Sequence, residues 1–265
     1  MITKLKKLIA KPAHKLRLCG LTIMCALASI PIPATSATFT VSPVRIYMTP
    51  QDRAVAITII NEGDDMLVMQ ADIFEWKQKE NGVDDLTLTE DLFLSPPILQ
   101  VPGKSRQVVR LARVNRTPLA QELTYRIIVR EIPEATAPNK DLRLQIALAF
   151  SMPIFITPPR AKSALDCNTV RVVADKVTAH CENMGNAHAH PTTFELSNAA
   201  GEIIASSKTG GYMLPGIKRA FELEANADAK KDGKLNGGAG AKGKLVVTLA
   251  DSTTRSFDVV INPNP

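Results

Sequence analysis

Residues 142–156 read LRLQIALAFSMPIFI, in which Leu142, Leu144, Ile146, Leu148, Phe150, Met152, Ile154 and Ile156 occupy every second position. Between them stand Arg143, Gln145, Ala147, Ala149, Ser151, Pro153 and Phe155. Successive side chains of a strand point to opposite faces, so a strict period of two predicts a strand with one continuous apolar edge of side chains. Its length is the constraint. Fifteen residues at ~3.3 Å each extend roughly 50 Å, whereas a usual strand has about 5–6 residues. Such a strand outruns any single small sheet. Either its large residues line the core of the protein's own sandwich, or part of it is an edge offered to a partner.

The segment ahead of the strands reads as a delivery signal. Lys4, Lys6, Lys7, Lys11, Lys15 and Arg17 precede an apolar run from Leu18 to Ile30, then Pro31, Pro33 and the small residues Ala34-Thr35-Ser36-Ala37. A basic start, a short apolar run and a small-residue site predict a secretory signal peptide over residues 1–37. The run is too short and too one-sidedly flanked for a membrane span, so no membrane insertion is expected once it is removed. Six of the 32 Lys and Arg leave with it, which balances the remainder against the 26 Asp and Glu. The pI of about 9.2 is therefore no argument for a nucleic-acid partner. Cys19 and Cys25 also leave, and the remaining Cys167 and Cys181 are expected to pair, as two cysteines of an exported protein more often do.

Past residue 37 the chain carries no long helical periodicity, only short strand patterns divided by turn residues. Thr38–Met48, RAVAITIIN, MLVMQADIFEWKQ, PPILQV, SRQVVRLAR and TYRIIVREI are separated by Thr49-Pro50-Gln51-Asp52, Asn61-Glu62-Gly63-Asp64-Asp65, Asn81-Gly82 and Pro102-Gly103. Regular strands with such turns predict an all-β chain of immunoglobulin-like β-sandwiches. Thr157-Pro158-Pro159-Arg160 stops the ladder, giving an N-terminal domain over 38–157 and a C-terminal domain over 158–265, two sandwiches in tandem. Asp228–Lys244, polar and glycine-bearing, reads as a flexible surface loop.

Candidate chemistry is sparse. His188 and His190 in AHAHP, with His180 and Cys181, suggest a metal site only loosely, because the spacing matches no strong zinc pattern and a disulfide would consume the cysteine. The expectation is no metal and no other cofactor. G-x-S-x-G, H-E-x-x-H and P-loop motifs are absent, Glu75 and Glu131 sit among basic or aromatic neighbours, and no carboxylate pair forms. Trp76, two residues after Phe74, fits the core face of a strand. No enzyme is expected.

Several segments, in order, resemble the PapD-like periplasmic pilus-assembly chaperones of the chaperone–usher pathway: VSPVRIYM, SPPILQVPGKSRQVVRL, YRIIVREIP, LRLQIALAFSMPIFITPP and GYMLPGIKRAFEL. IFEWKQ, the YR before IIVREIP and the extended alternating strand are more similar to the archaic, Csu-type branch. The resemblance implies a chaperone that complements incomplete immunoglobulin-like pilus subunits with its long strand and delivers them to an outer-membrane usher. Leu142, Leu144, Ile146, Leu148 and Phe150 would then be the donor residues, while Met152, Ile154 and Ile156 pack the chaperone's own core. It further implies a cationic anchor for the subunit's terminal carboxylate, an Arg from the first strand and a Lys from the long one. Arg45 matches the first, but Ser151 stands where the Lys belongs, so Arg110 and Arg126 become candidates, on strands expected to neighbour the long one. An exported structural or adhesive module of a pilus or cell surface is the alternative, although in such a module the alternating strand would sit at the N-terminus.

Overall fold

A computed structural model describes residues 39–114, 118–132, 147–173, 176–231, 235 and 240–263. Ten strands make the first body. They are β1 (Phe39–Ser42), β2 (Ile46–Met48), β3 (Ala54–Asn61), β4 (Leu67–Gln78), β5 (Asp84–Leu88), β6 (Leu92–Ser95), β7 (Ile98–Val101), β8 (Arg106–Arg113), β9 (Leu123–Glu131) and β10 (Ala149–Ile156). A four-stranded sheet runs β1-β3-β8-β6, and a six-stranded sheet runs β2-β10-β9-β4-β5 with β7 also paired to β4. Between the sheets lies one apolar core, including Ile57, Ile59, Met69, Leu99, Leu111, Ile127 and Ile154. These residues recur at every second position of their strands, as two facing sheets demand.

The second body begins with β11 (Leu165–Val173) and β12 (Lys176–Asn183), followed by β13 (Pro191–Asn198), β14 (Ile203–Ser207) and β15 (Lys218–Ala225). After α1 (Ala227–Lys231) come β16 (Ala241–Leu249) and β17 (Thr254–Pro263). Their pairing closes on itself in the order β11-β12-β15-β14-β13-β16-β17. Phe194, Leu196, Val170, Val177, Leu245 and Val247 fill the interior. Cys167 and Cys181 form a disulfide across the β11–β12 hairpin, with Cα atoms 4.2 Å apart. The ladder slips by one residue between Asp166 and Thr169, and this bulge brings Cys167 against Cys181. The chain is thus all-β, with two sandwich bodies in tandem, the second closed edge to edge.

Three local expectations are corrected. The Thr38–Met48 pattern is not one strand, because the chain crosses from the four-stranded sheet to the six-stranded sheet between Ser42 and Ile46. Two short strands that each alternate look continuous in sequence, and only the proline between them hints at the crossing. Asp228–Lys244 is not wholly loop, since α1 occupies its start, Leu235 is buried and β16 begins at Ala241. Trp76 is buried, but on the opposite side of its sheet from the sandwich core. It packs with Phe155 and Leu214 in a separate cluster against the second body.

Candidate functional site

Two features of the six-stranded sheet meet near β10. The first is an open edge. β10 pairs β9 along all of Ala149–Ile156, yet β2 covers its other side only at Ile154, Phe155 and Ile156. Ala149–Pro153 therefore has no strand on that side among the described residues, and its backbone groups there are available to a further strand. Met152, Ile154 and Ile156 point into the sandwich core. By the same parity Leu148 and Phe150 lie on this face just beyond the core. Leu148 is half-buried, while Phe150 is 38% exposed and meets Phe39 edge-on at 4.7 Å between ring centroids. Glu131 ties down the start of the strand, its N–H donating to the Leu148 carbonyl at 2.9 Å and its carboxylate accepting from the Leu148 N–H at 3.3 Å. Leu142, Leu144 and Ile146 lie outside the described residues.

The second feature is a cleft between the two bodies, about 260 Å³ in volume, lined by Arg45, Tyr47, Ser163, His188, Ala189, His190, Leu249, Ala250 and Asp251. Arg45 directly precedes β2 and is exposed, and no ion pair among the described residues engages it. An aromatic layer floors the cleft. Tyr47 stacks on Phe155 at 5.5 Å, the His188 ring lies on Phe155 at 3.7 Å, and His190 stacks on Tyr212 at 4.0 Å. Outward-facing apolar side chains of one sheet are thus covered by loops of the other body, which is why they escape solvent without belonging to the core.

Polar contacts hold the layer in register. The Glu122 side chain is 1% exposed. It accepts from the His188 backbone N–H and ring Nδ1, both at 2.8 Å, and from the Thr157 hydroxyl at 2.9 Å. Burial would raise the Glu122 carboxyl, but the hydrogen bonds and charge of His188, with Thr157, outweigh it and hold the group below the usual carboxylate range. Gln78 bridges on the far side, donating to the Tyr212 carbonyl at 3.1 Å and accepting from the Leu214 N–H at 3.0 Å.

The two candidate partners of Arg45 stand in different places. Arg110 lies exposed on β8, which pairs β3 and β6 in the four-stranded sheet, so it does not neighbour β10. Arg126 does: it is paired opposite Pro153 on β10 and donates to the Ser151 hydroxyl at 3.2 Å. Its guanidinium also lies 4.0 Å over the Trp76 ring and 3.0 Å from the Asp84 carboxylate. Burial pushes the Tyr212 phenol up against the pull of the Arg45 and Arg126 charges. The histidines do not gather. His188 and His190 line the cleft, while His180 sits on β12 beside the disulfide, in a separate pocket with Lys218 and Arg219. Glu122, Tyr212 and Gln78 carried no signal in sequence, because their roles depend on contacts across more than sixty residues of chain.

The fold of two β-bodies, with an open-edged strand in the first, is shared with solved structures. The structure of an archaic chaperone–usher Csu pilus pre-assembly complex, CsuC–CsuE of Acinetobacter baumannii, superposes with a TM-score of 0.61 at 17% identity, covering 85% of this chain and 99% of that one. The Pseudomonas aeruginosa CupB2 chaperone gives 0.52 at 15% identity, covering 84% and 100%. The Salmonella enterica SafB chaperone–SafA pilin complex gives 0.54 at 12%, covering 85% and 97%. Among curated proteins no sequence matches the chain. Residues 38–162 match the family of pili and flagellar-assembly chaperones, PapD N-terminal domain. That match covers the first body, which is thus a PapD-like N-terminal domain of the pili and flagellar-assembly chaperones.

Proposed function

We propose that this protein is a periplasmic chaperone that caps pilus subunits by donating the strand leading into β10, and that it hands them to an outer-membrane usher. The observation that carries the reading is the open edge of β10, in register with a core face that continues past the core to Phe150 and Leu148. An incomplete subunit adds its strands to this edge, and Leu142, Leu144, Ile146, Leu148 and Phe150 fill its apolar groove at alternate positions. At ~1.5–3 kcal/mol per large apolar side chain, five residues supply roughly 7–15 kcal/mol of gross burial, and ordering costs reduce the net to much less.

Arg45 is the anchor for the subunit's terminal carboxylate in the cleft. Arg126, bonded to Ser151, contributes less, because Asp84 already neutralises much of its charge. Residues 1–37 serve as the export signal, and the chain divides into chaperone domains at 157–158. Affinity purification of the tagged protein from periplasm tests the reading. The expected result is a one-to-one complex with an all-β pilus subunit; recovery of the protein by itself from cells that are assembling pili would contradict it.

A further inference from the structure

Arg45 has little cationic support in its cleft: Ser151 carries no charge, and Arg126 is bound to Asp84. His190 is differently placed. It lines the cleft with Arg45, stacks flat on Tyr212 at 4.0 Å, and its ring nitrogens make no hydrogen bond among the described residues. His188, two positions away on the same face, is committed, because its Nδ1 is held by Glu122 at 2.8 Å and its ring packs on Phe155. We propose that His190 is the titratable member of the cation set around Arg45, so that the cleft takes the terminal carboxylate of a peptide more tightly as the pH falls. This rests on the reading of Arg45 as a carboxylate anchor and adds to it a second ligand-facing group and a pH dependence.

The groups facing His190 set the sign. Arg45 and Tyr47 face it from the first body, Tyr212 and His188 from neighbouring loops, and Asp251 from the turn between β16 and β17. Burial first, then the Arg45 guanidinium and His188, hold the imidazole below its ordinary range, so the empty cleft keeps it neutral. Asp251 is an anion at the rim, already engaged by the N–H and hydroxyl of Thr253 at 3.0 and 2.7 Å. A carboxylate arriving at Arg45 cancels the repulsion that depresses His190 and favours its protonated form. Binding therefore takes up a proton, and affinity rises as the pH falls from the His190 value of the complex toward that of the empty cleft. A peptide α-carboxyl, with an ordinary pKa of about 3.5, stays ionised throughout.

The test uses the whole mature chain and a stated probe, N-acetyl-Ala-Ala-Ala with a free carboxylate, alongside the same peptide as its C-terminal amide. Nuclear magnetic resonance follows the histidine ring signals and the affinity at about pH 7.5 and about pH 5.5. The carboxylate should bind roughly three- to tenfold more tightly at the lower pH, with the His190 pKa raised on saturation and no response to the amide. His190→Gln should remove the gain, and Arg45→Gln should abolish binding at both pH values. Carboxylate binding through Arg45 that is flat with pH, or a gain that survives His190→Gln, overturns the inference and leaves the anchor standing. Failure of the carboxylate to bind, equal binding of carboxylate and amide, or binding indifferent to Arg45→Gln overturns the anchor and the inference with it.

Discussion

Glu122→Ala is the sharpest probe of how the two bodies are held together. The carboxylate is 1% exposed, and its removal strands the His188 N–H, the His188 ring and the Thr157 hydroxyl at once. Stranding a buried hydrogen-bond donor costs about 1–3 kcal/mol, more when its partner was charged, and the 15% exposure of the His188 side chain lets water recover part of it, so about 3 kcal/mol in all is expected. At about 2–4 °C per kcal/mol for a chain of this size, ~3 kcal/mol lowers the melting temperature by roughly 6–12 °C. The pH dependence supplies a second check. The Glu122 pKa is depressed in the fold, so its contribution is complete above the ordinary carboxylate range of about 4.3 and is lost as pH falls through the folded value. Calorimetric melts of the wild type and Glu122→Ala should therefore differ near neutrality and converge in acid. Equal melting temperatures at neutral pH, or a gap that persists unchanged below about pH 3, would rule out this role for Glu122.

Other consequences are direct. Reducing the Cys167–Cys181 disulfide, which closes a 14-residue separation, should cost about 3 kcal/mol by denaturant titration. Unreduced peptide mass spectrometry should recover the linked pair. Arg45→Ala should leave the melting temperature in place while abolishing subunit recovery, since losing one partner of a desolvated charge pair costs ~2–5 kcal/mol of binding. In Gly103→Ala the new Cβ would lie 2.0 Å from the Asp64 carbonyl oxygen; the turn has to shift, and a loss of about 1–3 kcal/mol is expected in chemical denaturation.

Alternation made the strands readable, because burial between two sheets imposes a period of two on every strand that borders the core. It could not tell which body covers an outward face. Trp76 and Phe155 are as buried as core residues, yet their cover comes from Leu214 and Tyr212 of the second body, far along the chain. The same limit separated Arg126 from Arg110: both lie on alternating strands, and only sheet order puts one beside β10 and the other in the opposite sheet. The cysteine pair was legible because a hairpin joins nearby strands, whereas the bulge that aligns it was not. AHAHP drew attention as metal-ligand chemistry, but the fold turns its two histidines to different tasks, His188 onto Glu122 and His190 into the cleft.

On the donor-strand reading the alternating residues ahead of β10 serve a partner and not the protein's own core. Ile146→Asp tests it most directly, read by thermal melting of the free protein alongside subunit co-purification. A carboxylate forced into an apolar subunit groove costs several kcal/mol or must be protonated, while at a free edge it costs little. An unchanged melt and loss of the subunit are expected. A large drop in the melting temperature of the free protein would show that Ile146 is ordinary core and would contradict the donor strand.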